Sequence, residues 1–342
     1  MKITSSEIAK LANVSRATVY RVINKKPNVR PETIERVNAI IDEVGYTPNA
    51  AGQALVKQNR KDIIGVVLPV VRDEFYRSIQ EGINAFVKEH EDLGIKVVCE
   101  YMDSFSVEDV LAAISRIKKK GVDALSVVAI DDKEILRAID SFGENVPVVP
   151  IISDIDCKNK LCFVGNDQRR FGAVAGEIFS KIMGDTGKIV VVVTSLSFAV
   201  HRERLDGIKE YFRLKESGIK IFDEVVENYD SDEATYKKLK EILAQDKEIT
   251  GIFFATGQGV LGYKRLIGEM DYPNRIRVVA SEILPGTKEM LKNGSVDFSI
   301  CQQPYEVGYS SLKVIYDYLT KRIVPEGGKI YKNFEIKGFE NI

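Results

Sequence analysis

The sequence predicts an α/β protein in two parts: a small all-α helix-turn-helix head followed by two doubly wound parallel-sheet lobes. Three observations carry that expectation. Residues 3–55 hold short segments with helical periodicity and helix-starting signals. From Asp62 onward, apolar runs too short for buried helices alternate with amphipathic stretches, the pattern of parallel strands covered on both faces. About nine such units follow one another, more than one doubly wound sheet ordinarily holds, so two lobes are expected.

In the head, Thr4-Ser5-Ser6-Glu7 sets a Thr three residues before a Glu, a capping box that starts the first helix. Ile8, Leu11 and Ala12 then share one face. Asn13 tolerates a left-handed turn, and Ser15 suits the N-cap of a second helix over 16–24. That helix turns Val19, Val22 and Ile23 inward and leaves Arg16, Ala17, Tyr20 and Arg21 facing out. Pro31 suits the first position of a third helix running to Gly45, with Ile34, Val37, Ile40, Ile41 and Val44 on its core face. Two short helices joined by a tight turn, the second with a basic outer face, fit the major groove of B-DNA. Arg is best suited to guanine there. Pro48 ends the head. The stretch 48–60 is marginally helical, being short and carrying Gly52, which costs about 1 kcal/mol relative to Ala.

Charge divides the chain in the same place. The net charge is −1, yet residues 1–61 hold 11 Lys and Arg against 5 Asp and Glu, while the remainder holds 38 against 45. A basic head on an acidic body grips phosphates with one end only. Cys99, Cys157, Cys162 and Cys301 form no C-x-x-C pair and have no nearby His. They read as separate small thiols, with no metal site and no cofactor expected. No apolar run approaches the ~20 residues that span a bilayer. The start MKITSSEIAK lacks a signal-peptide core, so a reducing cytoplasm and no membrane partner are expected.

In the body, strands are expected at 63–68, 95–99, 124–128, 148–152, 162–164, 189–193, 251–254 and 276–280. Helices are expected over 75–91, 107–119, 170–184, 201–215 and 232–245. Parallel sheets bind ligands beyond the carboxyl ends of their strands. That places Asp73, Phe75 and Tyr76 after the first strand, and Ser153 and Asp154 after the 148–152 strand. Ser197 and Arg204 follow the 189–193 strand, and Tyr229, Thr256, Glu282 and Gln302 complete the set. Aromatic faces beside a carboxylate suit a sugar ring. Arg204 can hold two oxygens at once, which would favour a carboxylated or phosphorylated guest. A competing motif is Gly257-Gln258-Gly259-Val260-Leu261-Gly262, a G-x-G-x-x-G after a strand, with Glu282 twenty residues on. That is the dinucleotide-binding fingerprint of an NAD-dependent oxidoreductase. No catalytic partner accompanies it: His90 lies in a charged helix and His201 starts another.

The head segments Glu7-Ile8-Ala9-Lys10-Leu11-Ala12, Val14-Ser15-Arg16-Ala17-Thr18-Val19, Arg21-Val22-Ile23-Asn24 and Gly45-Tyr46-Thr47-Pro48-Asn49 resemble the lactose- and galactose-repressor family of bacterial transcription factors. In the body, Arg204-Leu-Asp-Gly207 and Gln302-Gln-Pro304-x-x-x-Gly308 carry the same resemblance. It implies a helix-turn-helix domain at 1–47, a hinge at 48–60 and an effector-binding core at 61–342 of periplasmic-binding-protein type. The lobes would be 61–157 with 300–324, and 158–299 with 325–342, joined by crossings near 154–160, 297–303 and 321–329. DNA would be met by Thr4, Ser15, Arg16, Ala17, Thr18, Tyr20, Arg21, Asn24, Arg30, Tyr46, Asn49, Gly52 and Leu55, with Leu55 wedged into the minor groove. The residues at the strand ends match positions lining the cleft of sugar-responsive repressors. The resemblance therefore implies a homodimeric, non-enzymatic regulator on a near-palindromic operator, controlled by a monosaccharide, sugar acid or polyol. The chain departs from the family pattern at Tyr20, Gly52, Gln53, Thr256-Gly257 and Glu282. The other readings are the oxidoreductase and a sugar receptor without DNA binding.

Overall fold

The computed structural model describes residues 5–23, 29–44, 62–70, 74–91 and 94–342, apart from the side chains of residues 5, 6, 17 and 20. Head and core are two separate compact units.

The head contains α1 (Ser5–Leu11), α2 (Arg16–Ile23) and α3 (Pro31–Glu43). Asn13 takes the left-handed backbone of the turn (φ 48). Ser15 Oγ accepts from the Thr18 backbone N–H at 3.1 Å, capping α2. Pro31 opens α3, which ends at Glu43, short of the expected Gly45. Ile8, Ala9, Ala12, Val19, Val22 and Val37 form the buried centre. Leu11 departs from expectation: it is 60% exposed. The buried stripe of α1 is centred among Ile8, Ala9 and Ala12, and at about 100° per residue Leu11 falls off its edge.

The core is built on two parallel sheets. The first lobe runs β1 (Asp62–Pro69), α4 (Glu74–Glu89), β2 (Ile95–Met102), α5 (Val107–Lys119), β3 (Ala124–Val127), α6 (Lys133–Asp140) and β4 (Val148–Pro150), in strand order β2-β1-β3-β4. The second lobe begins with α7 (Gln168–Met183), β6 (Thr186–Val193), α8 (Ala199–Leu214), β7 (Gly218–Ile221) and β8 (Val226–Glu227). It continues with α9 (Asp232–Gln245), β9 (Ile249–Phe254), α10 (Val260–Glu269), β10 (Arg277–Ser281), α11 (Pro285–Lys292) and β11 (Phe298–Cys301). Its order is β13-β11-β10-β9-β6-β7, where β13 (Glu335–Lys337) is an antiparallel edge strand and β8 also pairs with β6. Side-chain caps start many of these helices: Ser106 accepts from Asp109 N, Asp132 from Glu134 N and Ile135 N, Asp167 from Arg170 N, and Ser231 from Ala234 N.

Strand pairing moves the lobe boundaries. β5 (Phe163–Gly165) pairs with β12 (Lys329–Tyr331), and Val164 bridges Ile151 at the end of the first sheet. The first lobe therefore extends to Gly165, past the expected 154–160 crossing. The final crossing falls at 332–334, between β12 and β13, rather than at 321–329. Between them the chain re-enters the first lobe at Gln303 and forms α12 (Pro304–Lys321) against α4. Asn166 Nδ2 donates to Lys332 O (2.8 Å) and Asn333 O (3.0 Å), tying the first crossing to the last.

One glycine device recurs in both lobes. A Cβ at Gly308 of α12 would sit 2.2 Å from Ile79 O of α4, and one at Gly82 would sit 2.1 Å from Tyr305 O. In the second lobe a Cβ at Gly207 of α8 would meet Arg169 O of α7 at 2.0 Å, and one at Gly172 would meet Arg204 O at 2.0 Å. Paired glycines let the two helices touch backbone to backbone, which no side chain permits.

Candidate functional sites

Both sheets reverse their strand order beside their first strand: β1 is flanked by β2 and β3, and β6 by β7 or β8 and β9. Ligand crevices form at such switch points, outside the carboxyl ends. Here the two crevices share one cavity of about 140 Å³. The first lobe contributes Phe75, Tyr76, Phe105, Val128, Ala129, Ile152 and Ser153. The second contributes Thr194, Phe198, Val200, His201, Arg204, Asp230, Thr256, Gly257, Gln258, Glu282 and Leu284, with Gln302 at the crossing.

Of the residues expected at the cleft, Phe75, Tyr76, Ser153, Arg204, Thr256, Glu282 and Gln302 line the cavity. Three others do not. Asp154 is engaged by Lys160 (2.6 Å) and Lys329 (3.1 Å). Ser197 Oγ donates to Ser195 Oγ (3.1 Å) in a turn anchored on Glu227. Tyr229 is 68% exposed, turned outward by its left-handed backbone (φ 50). Asp73 lies outside the described residues. The cavity also takes in Phe105, Val128, Thr194 and Asp230, which likewise follow strand ends, and His201 in the first turn of α8.

The polar centre is a buried chain. Arg204 is 3% exposed. Its Nε donates to Gln168 Oε1 (2.8 Å), its Nη1 donates to Ala255 O (3.0 Å), and its guanidinium lies 3.8 Å over the Phe171 ring. Gln168 Nε2 donates to Gln302 Oε1 (3.2 Å), and Gln302 Nε2 donates to Glu282 Oε1 (2.9 Å). Desolvation brings the Arg204 pKa down to about 10, with nearby Glu282 opposing the shift. His201 is brought down to about 3 by burial and then by Arg204, so it is neutral. Its Nδ1 hydrogen bonds Ala255 O at 3.1 Å; as that carbonyl accepts, Nδ1 carries the proton and Nε2 is an acceptor.

Aromatic rings link the lobes across the cavity. Phe75 meets Tyr76 (5.3 Å between centroids), Tyr76 meets Phe105 (6.5 Å), Phe105 meets Phe198 (5.2 Å) and Phe198 meets His201 (5.9 Å). The Phe105–Phe198 pair joins the first lobe to the second. Backbone strain gathers at the same place. Ile152 (φ 69), Asp230 (φ 59) and Glu282 (φ 66) all take left-handed backbone, which a β-branched Ile adopts only under constraint. The bond from Ser153 N to Ile151 O (2.8 Å) closes a tight turn around Ile152. Among the described residues the buried Ser153 hydroxyl has no hydrogen-bond partner, so it is an atom that a guest can satisfy.

In Gly257-Gln258-Gly259-Val260-Leu261-Gly262 the first glycine lines the cavity, and the second and third serve helix packing. Gly259 (φ 97) starts α10, and the space before it is filled by Asn228 Nδ2 and Thr235 Oγ1, each 2.4 Å from where a Cβ would stand. Gly262 lets α10 close on α9, with Asp232 O 2.1 Å from its would-be Cβ.

In the head, Arg16, Arg21 and Arg30 are exposed, Ser15 is spent on the α2 cap, and Thr18 is half-buried beside it. Thr4, Asn24, Tyr46, Asn49, Gly52, Leu55 and the whole 48–60 hinge lie outside the described residues, as do the side chains of Ala17 and Tyr20. The four cysteines are unpaired. Cys157, Cys162 and Cys301 are buried, and burial raises their thiols to about 11, 11 and 12. Among the described residues no helix is long and apolar enough to cross a membrane.

Comparison with known proteins finds a match for the head and for the core. Residues 4–49 match the family described as bacterial regulatory proteins, lacI family, and residues 64–323 match the periplasmic binding protein domain. The chain is 25% identical over 334 residues to catabolite control protein A of Priestia megaterium, covering 95% of each chain. It is 28% identical over 323 residues to the HTH-type transcriptional regulator MalR of Clostridium butyricum, covering 92% of each. A glucose-galactose binding protein from Geobacillus stearothermophilus superposes with a TM-score of 0.75 at 18% identity, over 83% of this chain and 99% of that one. With a lacI-type head joined to a core of the periplasmic-binding-protein kind, the chain belongs to the lacI family of bacterial regulatory proteins.

Proposed function

We propose that the protein is a transcriptional repressor that acts as a homodimer in the cytoplasm, performs no chemistry, and has its hold on operator DNA set by a small sugar-like effector. The observation that carries this reading is the single cavity shared by the switch points of two lobes and lined from both sides. A ligand held by both lobes shifts the balance between their arrangements by its differential affinity for them. In the head, Arg16 and Arg21, with Ala17 and Tyr20, are assigned to base edges. Thr18, Asn24 and Arg30 are assigned to phosphates, and Leu55 to the minor groove. Thr4, Ser15, Tyr46, Asn49 and Gly52 complete the proposed DNA surface.

The test is selection of binding sites from random duplexes by the full-length protein, repeated with candidate sugars. A recovered near-palindrome whose affinity changes with one sugar is the expected result. Equal, salt-sensitive binding to every duplex defeats the proposal. Arg21→Ala should cost about 1–3 kcal/mol and relax preference at one base position, whereas Arg30→Ala should weaken all duplexes alike.

A further inference from the structure

At the cavity two side-chain amides connect a cation to a carboxylate, and only one arrangement of them fits. Arg204 carries N–H donors and no acceptor, so the Gln168 oxygen must face its Nε (2.8 Å) and the Gln168 nitrogen must face away. That nitrogen donates to Gln302 Oε1 (3.2 Å). The Gln302 nitrogen is then left for Glu282 Oε1 (2.9 Å), to which the Gln302 backbone N–H also donates (3.2 Å). Turning either amide over would set donor against donor or acceptor against acceptor. Gln168 is 3% exposed and is not one of the residues that line the cavity, whereas Arg204, Glu282 and Gln302 are. It is the first residue of α7, and Phe171, one turn on, covers the guanidinium face at 3.8 Å. A single helix turn thus fixes both the edge and the face of Arg204. At the other end, Gln302 sits where the chain leaves β11 to return to the first lobe, so the series of bonds finishes on a crossing.

We propose that Gln168 is the positioning residue of the cleft: from outside the cavity it sets the orientation of the Arg204 guanidinium and couples it, through the Gln302 amide, to the crossing. Buried hydrogen bonds in series polarise one another, so a change at one end is felt at the other. The role rests on the proposed effector function of the cavity. The fixed direction of the bonds has a consequence. A carboxylate at position 168 can still accept from Arg204 Nε, but its second oxygen then opposes Gln302 Oε1. Turning the Gln302 amide over moves that conflict to Glu282, and an amide at position 282 removes it.

The test is made on the full-length protein. With arginine labelled by nitrogen-15, and the Arg204 signal identified by its loss in Arg204→Lys, the Arg204 Nε–H should exchange at least about tenfold more slowly than those of exposed Arg16 and Arg21. Gln168→Met, of similar length and without an acceptor oxygen, should remove that protection. In urea unfolding, Gln168→Glu and Glu282→Gln should be non-additive, the folding constant of the double variant exceeding the value expected from the singles by at least about tenfold. The same cycle in a Gln302→Met background should lose the excess. An excess that persists there comes from charge repulsion through space and overturns the relay. So do additive effects, or an Arg204 Nε–H that exchanges as fast as the exposed ones. For a sugar that the site selection shows to alter operator affinity, Gln168→Met should raise Kd at least about tenfold and leave sugar-free operator affinity within about threefold. Equal loss of both marks damage to the fold and overturns the positioning role. If no sugar alters operator affinity, the regulatory reading fails alone, because the exchange and unfolding results are read without a ligand.

Discussion

Gly207→Ala tests how the buried arginine is held. A Cβ at Gly207 would lie 2.0 Å from Arg169 O, 2.8 Å from its carbonyl carbon and 3.0 Å from its Cα. All three are backbone atoms, so no side-chain tip can yield, and α7 and α8 must part by more than about 1 Å to reach ordinary van der Waals contact. Overpacking of this kind costs about 1–3 kcal/mol, and a rigid backbone contact belongs at the upper end. Replacing a helical Gly by Ala returns about 1 kcal/mol. The net loss is about 2 kcal/mol, or about 3 °C in Tm for a core of this size. Gly268→Ala in α10 is the control, since nothing lies within 4 Å of its would-be Cβ; it should be neutral or stabilising by up to about 1 kcal/mol. Separating α7 from α8 also draws Arg204 and His201 on one helix away from Gln168 and Phe171 on the other. Ligand affinity should therefore fall together with stability. Urea unfolding followed by circular dichroism, with calorimetry of the effector, measures both. A Gly207→Ala protein as stable as the parent refutes the close-crossing argument.

The remaining expectations are briefer. His201 titrates near 3 in the folded chain against about 6.5 when unfolded. The unfolded state thus takes the proton first, and stability, complete above about 6.5, falls on acidification toward 3 by about 1.4 kcal/mol per pH unit. His201→Gln should flatten that slope in pH-dependent unfolding, and an unchanged slope counts against it. Ser15→Ala should remove about 1 kcal/mol of cap from α2, seen as faster amide exchange in that helix and weaker operator binding, with Ser15→Asp restoring the exchange protection alone, because its carboxylate repels the DNA phosphates. Asn166→Ala leaves the carbonyls of Lys332 and Asn333 without their donor and should destabilise the core by about 1–3 kcal/mol in the same unfolding assay. A double-mutant cycle on Phe105→Ala and Phe198→Ala should show about 1 kcal/mol of coupling in ligand binding; additive effects would mean that the rings do not cooperate.

The fold was legible because its signals are local. Short apolar runs announced β1, β3, β6 and β9, and Ser15, Asn13 and Pro31 announced the head's turns and caps. What escaped depends on distant partners. β8 is two residues long and exists through its pairing with β6, while β12 and β13 become strands by meeting β5 and β11. The strand-end rule found Thr256, Glu282 and Gln302, each within two residues of a strand's end, and Arg204, in the second turn of the helix that follows β6. It misjudged Asp154, which Lys329 reaches from far along the chain, and Tyr229, whose neighbour Asp230 faces the cavity instead. Two successive left-handed residues there invert the side-chain alternation that a strand reading assumes. The role of Gln168, a buried amide between Arg204 and Gln302, has no sequence signal, since it exists only once α7 and α8 have crossed.

The two sides of the cleft are held by different forces, and that difference gives a ligand its leverage. On the crossing side the lobes are joined covalently three times, and Asn166 ties the first passage to the last by hydrogen bonds to backbone carbonyls. On the mouth side the described contact is a pair of aromatic edges, Phe105 against Phe198, worth about 1 kcal/mol. A hinge held firmly at one edge and latched by about 1 kcal/mol at the other costs little to open at the mouth. A guest touching Ser153 from one lobe and Arg204 and Glu282 from the other keeps only part of its contacts when the lobes part. Its binding therefore favours closure by the contacts that opening would forfeit. Shifting a two-state balance tenfold takes only about 1.4 kcal/mol of such difference, the scale of a single hydrogen bond to a charged group.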